Sequence, residues 1–352
     1  MKSCCKCNRE IGFCGVFLLP IWSFGLARVN SLAFLLLPQH YRRVVLPWSF
    51  DSSDRYWLGW GRKRSFYIAS LFARLNNDRV VCLEDGFLRS YGTGKCYSPL
   101  SLVVDRDGIY YDSTCVSSLE ILLESEDDLS DEEGISTFVA WRALLSHGLS
   151  KYNHAAADKN FTSLFFDGGW RTSETTTDVM RVLVVDQTLG DMSVTLGGGC
   201  SETFFDMLEA ARVENPNAVI YVKTHPEVAS GLKGGYLTKV RSGYRTVVLR
   251  DVINSMELLE YMDRVYVVTS TMGFEALLAG KPVVCFGVPW YAGWGVTDDR
   301  CIDSSAWARR TRKRSVDELF SAAYIHYARY LDPVTHKRGN ILDVIHWLLH
   351  QK

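Results

Sequence analysis

The chain has 352 residues, which at ~100–200 residues per domain corresponds to about two domains. Hydrophobic residues make up 47% and charged residues 22%, and 39 Lys plus Arg stand against 40 Asp plus Glu for a net charge of -1. That balance excludes charge-driven disorder and argues against a nucleic-acid binder that grips the backbone through an overall basic surface.

At the N-terminus, Lys2, Lys6 and Arg9 precede the apolar stretch IGFCGVFLLPIWSFGLA, and SLAFLLLP follows Arg28. The order resembles a secretory signal. Neither run, however, reaches the ~18–20 uninterrupted apolar residues of a membrane span, and Pro20 and Pro38 break them. Buried structure is expected here, with peripheral membrane contact by this edge left open. Ten cysteines include Cys4, Cys5, Cys7 and Cys14 near the terminus. Cys4-x-x-Cys7 has no second pair at zinc-site spacing, so incidental thiols and a reducing compartment are expected.

The first half carries short β-branched runs, RVVLP and RVVCLEDG, and SLVVDRDGIYYD reads as two strands around a turn at Asp107 and Gly108. The polar run Ser173–Asp178 reads as a hinge, dividing the chain into domains 1–172 and 173–352. In the second half MRVLVVD, AVIYVK, YRTVVLR, VYVVTS and PVVCFG read as strands. Phe204, Leu208 and Ala211 mark a helix face, and STMGFEALLAG a helix closed by Gly280. Strands alternating with helices imply βαβ units, hence an α/β protein with two Rossmann-like domains and parallel sheets. Ser315 with Glu318 forms a capping box, and apolar positions from Val316 to Leu331 form one helical face. A second amphipathic run spans Ile341 to Leu349.

Parallel sheets bind ligands beyond the C-terminal ends of their strands, and four polar clusters follow expected strands. Glu84-Asp85-Gly86 reads equally as a turn or as a nucleophile or base, with Arg89 nearby for anions. Lys223-Thr224-His225-Pro226 suits a phosphate leaving group, or is a surface loop. Thr269-Ser270-Thr271 opens a helix, where orphan N–H groups and hydroxyls cap or hold phosphate, with Glu275 placed for ribose hydroxyls. Trp290, Tyr291 and Trp294, interleaved with glycine, offer a flat cleft wall for a sugar or base, or pack beneath the rim. No G-x-G-x-x-G, P-loop, G-x-S-x-G or H-E-x-x-H occurs, so neither a cofactor nor a metal is expected.

The strings WLGWGRK, EDGFLRSYG, PLSLVVDRDGIYYD, LSKYN, VDQTLGDMSV, VKTHPEV, VTSTMGFEALLAGKPVVCFGVPWYAGWG and YARYLDP closely resemble the bacterial capsule polysaccharide biosynthesis proteins that act as β-Kdo transferases. The likeness covers about residues 55–335. It implies a GT-B-like fold, two Rossmann-like domains around a central cleft, and a retaining glycosyltransferase using CMP-β-Kdo. The implied acceptor is a Kdo linker on (lyso)phosphatidylglycerol, in capsular polysaccharide biosynthesis. By the same resemblance Asp85 is the nucleophile, Glu84 its orienting or proton-handling neighbour, and His225 and Lys223 face the CMP phosphate. Ser270 and Thr271 hold that phosphate, Glu275 the ribose, and Arg62 and Arg89 the donor carboxylate. The implied location is cytoplasmic, peripheral on the inner face of the inner membrane, with a capsule synthesis and export complex as a partner and no nucleic acid. The alternatives are a non-catalytic glycolipid-binding component of such a complex and a nucleotide-sugar epimerase or hydrolase. Many such proteins carry two modules in tandem; this chain holds one.

Two charge runs remain. Eight of the fourteen residues from Glu120 to Glu133 are acidic, expected as a solvated helix face and loop. RRTRKR, Arg309 to Arg314, reads equally as a contact for anionic lipid headgroups or as a solvated surface.

Overall fold

A computed structural model describes residues 17–20, 41–44, 56–92, 97–127, 129, 131–132, 135–153, 179–251 and 253–351. The N-terminal cysteines, most of the two apolar runs, the 172/173 boundary and the expected hinge lie outside the described residues.

Strands β1 (Phe17–Pro20) and β2 (Tyr41–Val44) pair in parallel. β3 (Tyr56–Trp60) leads into helix α1 (Arg64–Asn76), and β4 (Arg79–Asp85) returns parallel to β3. β5 (Ser101–Asp105) then runs antiparallel to β4 and is followed by α2 (Ser118–Glu124), the short pair β6 (Asp131–Glu132) and β7 (Ile135–Ser136), and α3 (Thr137–Ser146). The second half opens with β8 (Arg181–Val185), α4 (Met192–Leu196), α5 (Ser201–Glu214), β9 (Val219–Lys223), α6 (Pro226–Ala229) and β10 (Thr246–Leu249). It continues through α7 (Ser255–Glu260), β11 (Arg264–Val267), α8 (Met272–Leu278), β12 (Val283–Cys285) and β13 (Asp298–Asp299). The chain ends in α9 (Val316–Phe320), a π-helical segment Ser321–Tyr327, β14 (Ala328–Leu331), β15 (Arg338–Gly339) and α10 (Ile341–Leu349).

The second half is doubly wound as expected. Its six strands are all parallel in the order β10-β9-β8-β11-β12-β13. Chain direction across the sheet reverses between β8 and β11, and sheets of this kind bind ligands at such a reversal, here beyond Val185 and Val267. Both faces are buried, and β8 divides its side chains: Val182 and Val184 meet Phe204 and Met207 of α5, while Leu183 and Val185 join the core toward the first half. Gly280, with φ at +71°, ends the α8 region as its sequence position predicts.

The first half departs from the expected parallel sheet. Its order is β15-β14-β5-β4-β3, and only β3–β4 is parallel. The second strand expected at Ile109–Asp112 does not form. The cause is Asp105, fully buried, whose carboxylate accepts from the backbone N–H groups of Asp107, Gly108 and Ser118 and from the Tyr327 hydroxyl. Those bonds close a turn and draw the chain off the sheet.

The helix expected to reach Leu331 stops at Tyr327. Ala328 turns to extended backbone, and β14 pairs antiparallel with β5, Tyr330 opposite Ser101. A fully buried apolar strand cannot be told from a buried helical segment by periodicity. The C-terminal chain therefore completes the first sheet, and one hydrophobic core runs through both halves, joining Phe87 and Val103 to Val267, Phe274 and Tyr324. Phe274 is fully buried against Trp290 and Tyr324; truncating it to Ala costs about 3–5 kcal/mol.

Candidate active site

Beyond the ends of β4, β9 and β11 the structure gathers most of the charged residues singled out in the sequence. On β4, Glu84 and Asp85 alternate in direction. The Glu84 carboxylate accepts from the Trp60 indole at 2.9 Å and the Asp85 N–H at 3.1 Å, and burial raises its pKa. Gly61 leaves room for it: at φ +47°, a Cβ there would fall 2.5 Å from Glu84 Oε2. Asp85 Oδ2 lies 2.8 Å from Arg89 Nε as an ion pair out of line for a hydrogen bond, and Asp85 Oδ1 is buried with no hydrogen-bond partner. The other arm of Arg89 is anchored on the Ser90 hydroxyl at 2.7 Å.

Sequence reasoning quoted LSKYN for its likeness and missed what its lysine does. The Lys151 carbonyl accepts from the N–H groups of Arg89 and Ser90, and Asn153 ties the loop to Ser90 O. Burial alone would lower the Lys151 pKa, but Tyr110 and Tyr152, followed by the carboxylates of Asp85 and Glu84, raise it overall. The Lys151 N–H in turn donates to Glu275 of the second half. A lone Lys in a polar loop gives no sequence signal of its own; its significance comes from this placement.

On the second-half side, Lys223 ends β9 at 6% exposure, and its Nζ has no hydrogen-bond partner. Burial lowers its pKa to about 8, with Glu275 opposing. Glu275 is raised to about 7 by burial, offset by the Ser255 hydroxyl, Lys223 and the Lys151 N–H. At 7% exposure and with these partners it holds two lysines together and offers little surface to a ribose. His225 caps α6, its Nδ1 accepting from Glu227 N at 3.2 Å, and burial lowers its pKa. A neutral ring accepting at Nδ1 carries its proton on Nε2, as a donor.

At the sheet's reversal point, Gln187 accepts from Thr269 N at 3.0 Å and donates to Thr269 Oγ1 at 3.1 Å, stitching β8's end to β11's. Ser270 Oγ accepts from Met272 N, and Thr271 precedes the first turn of α8. The Tyr291 hydroxyl donates to Ser270 O at 2.5 Å and fixes this turn.

Two expectations change and one open reading is decided. Trp290, Tyr291 and Trp294 are 4%, 0% and 0% exposed, packed on Phe87 and Phe274 and under Arg310, which is the packing alternative and not a cleft wall. Arg62 donates to Asp112 at 2.7 Å and to Cys115 Sγ, and lines a separate cavity of about 570 Å³ with Tyr56, Phe66 and Arg106. Its guanidinium is thereby committed to Asp112. The arginines of the basic run are largely taken up inside the fold: Arg309 and Arg310 pair with Glu120, Arg312 pairs with Glu126 at the surface, Thr311 bonds Glu124, and Lys313 alone of the five cations is exposed. The acidic helix expected to be solvated is their partner. Among the described residues no cluster of three or more His, Cys, Asp or Glu is placed to hold a metal, and no helix is long and apolar enough to cross a membrane.

An all-parallel, doubly wound sheet beside a second, mixed sheet defines an α/β protein. The chain belongs to the capsule polysaccharide biosynthesis protein family, whose profile matches residues 57–330. It is 46% identical over 297 residues to the capsule polysaccharide modification protein LipA of Neisseria meningitidis serogroup A, covering 83% of this chain and 40% of that one. It is 38% identical over 250 residues to the lipopolysaccharide-processing protein LpsZ of Rhizobium meliloti, covering 70% and 53%. The chain thus spans about two-fifths to half the length of these curated relatives. Among solved structures, the β-Kdo 2,4 transferase of Thermosulfurimonas dismutans KpsC superposes with a TM-score of 0.82 at 40% identity, covering 95% of this chain and 98% of that one. The β-Kdo 2,7 transferase of the same protein superposes at 0.60 and 27%, covering 96% and 99%.

Proposed function

We propose that this chain is a retaining β-Kdo glycosyltransferase with a GT-B-like cleft, which takes Kdo from CMP-β-Kdo and extends a Kdo linker on (lyso)phosphatidylglycerol during capsule biosynthesis. The observation that carries the reading is the likeness to the KpsC 2,4 transferase over nearly the whole of both chains, and its excess over the 2,7 transferase favours a 2,4 linkage. The unpartnered Asp85 Oδ1 and Lys223 Nζ support it from the side of chemistry.

In this mechanism Asp85 Oδ1 attacks the anomeric carbon of Kdo as the bond to the CMP phosphate breaks, the electron pair leaving on phosphate. CMP leaves readily, so cationic and hydrogen-bonding support for the phosphate matters more than protonation. Lys223, the His225 Nε2–H and the Ser270–Thr271 turn provide that support. Arg89 and Lys151 hold Asp85 and meet the donor's own carboxylate. The acceptor hydroxyl then attacks the same carbon from the vacated face, its proton passes to Glu84, and Asp85 is released with β configuration retained. Two inversions give net retention. A cytoplasmic site at the inner face of the membrane fits a soluble nucleotide donor with a lipid-held acceptor.

The test is purified protein with CMP-Kdo generated in situ and synthetic Kdo-lipid acceptors, read by product mass and linkage analysis. A Kdo-extended product carrying a 2,4 bond is expected. Glycolipid binding without consumption of CMP-Kdo would instead identify a non-catalytic component, and free Kdo without product a hydrolase.

A further inference from the structure

Helix α1 is apolar on the wrong side for a core helix. Ala69 and Ala73 are 0% and 2% exposed and seat the helix on its sheet, with Phe72 stacked on Trp57 at 5.4 Å. The opposite face carries Tyr67, Ile68, Leu71 and Leu75, exposed to 55%, 44%, 57% and 71%. Spaced i, i+4 and i+8, with Ile68 beside Tyr67, they form one continuous stripe. A helix already anchored by its alanines gains nothing in the fold from four large apolar groups in water.

The charges around the stripe identify what covers it. Between Gly61 and Asn77 lie Arg62, Lys63, Arg64 and Arg74 and not one acidic residue. Lys63, Arg64 and Arg74 are exposed, at the start and in the last turn of the helix. Apolar side chains on one face with cations at its margins match the boundary of a bilayer bearing anionic headgroups. The stripe also leads to the site: α1 follows directly on Trp60 and Gly61, which enclose Glu84, and Lys63 is close enough to lower the Glu84 pKa.

We propose that the outer face of α1 docks on an anionic lipid surface, setting the Glu84–Asp85 carboxylates beside the headgroup layer where a lipid-linked acceptor presents its sugar. The last clause rests on the transferase reading; the docking itself does not. The surface is distinct from the basic run at Arg309–Arg314, whose four arginines are committed to α2.

The experiment is cosedimentation of the full chain with phosphatidylglycerol–phosphatidylcholine vesicles and with pure phosphatidylcholine vesicles. Anionic vesicles are expected to bind roughly a hundredfold more tightly, about fivefold for each of the three exposed cations. Replacing Tyr67, Ile68, Leu71 and Leu75 by Ser, or Leu75→Asp alone, abolishes or strongly weakens binding. Both variants keep the wild-type circular dichroism spectrum and wild-type turnover on a water-soluble Kdo acceptor. The proposal is overturned if wild type binds neither vesicle, if the serine variant binds like wild type, or if light scattering finds a dimer that the variant converts to monomer. Vesicle binding is read without turnover, so its failure leaves the transferase reading standing, and absent turnover leaves docking standing.

Discussion

Glu120 and Arg310 meet 3.0 Å apart with side chains 5% and 3% exposed, and every charged group there is answered: Arg309 takes the other Glu120 oxygen, and Arg310 also donates to Pro289 O and Ala292 O at 2.8 Å. Asp85 and Arg89 are less enclosed, at 18% and 11%, and Lys223 is buried, yet the individual atoms Asp85 Oδ1, Arg89 Nε and Lys223 Nζ are shut off from solvent with no hydrogen-bond partner. Burying charge is expensive in both places. The saturated network repays that cost inside the fold by clamping the C-terminal segment to α2. The unsaturated one leaves donors and acceptors without partners in the fold, which is what a site for a charged ligand requires.

That contrast can be broken by substitution. The largest effect is expected at Asp85→Asn, which removes the nucleophile and lowers transfer roughly 10⁴-fold or more while Tm changes little. Wild-type turnover by this variant would remove Asp85 from the mechanism. Glu120→Ala should behave in the opposite sense. It leaves the Arg310 guanidinium buried without its carboxylate and costs about 3–5 kcal/mol in denaturant unfolding, while the folded enzyme at low temperature keeps its kcat. If activity fell with unchanged stability, the clamp would belong to the site. Next comes Lys151→Met, expected to lower kcat roughly 10–100-fold by leaving Glu84 and Asp85 without their ammonium, with little change in donor KM. Rescue by Lys151→Arg would mark the charge, rather than the shape, as the active property.

The smallest effect is a pH limb. Lys223 titrates at about 8 in the folded chain, so kcat/KM for the donor should fall about tenfold per pH unit above that value as the ammonium is lost. The sign for stability is the reverse. A lysine pKa lowered from 10.5 favours the neutral form, so this group adds stability as pH rises from about 8 toward 10.5. The loss of activity is therefore not unfolding, and Lys223→Arg should move the limb upward. A pH profile unchanged by Lys223→Arg would separate this residue from the donor phosphate.

The second half was largely legible. Continuous β-branched runs such as RVLVV and VIYVK, each closed by a polar loop, announce buried parallel strands and put the candidate residues at their ends. Lys223, His225, Ser270 and Thr271 lie at or just past the ends of those strands, where that argument put them. The first half was less legible because its strands answer to distant partners: Asp105 pulls Ile109–Asp112 out of the sheet, and Ala328–Leu331 enters it from more than 200 residues away. The aromatic cluster read two ways, as a cleft wall or as packing beneath the rim, and only burial decided for packing. Glycine beside Trp and Tyr suggests an open loop, but Gly293 at φ +86° lets the segment turn inward and bury its rings.

By itself the sequence determined the class of fold, the family likeness and the positions at which chemistry-bearing residues leave their strands, since these depend on local periodicity and on residue type. Tertiary structure decided which charges are partners. Arg309 and Glu120 are 189 positions apart, and Lys151 reaches Glu275 across the two halves. Whether a charge is spent on the fold or held for a ligand depends on the groups brought within about 4 Å of it, where a low dielectric makes pairing decisive. No pattern along the chain carries that distance.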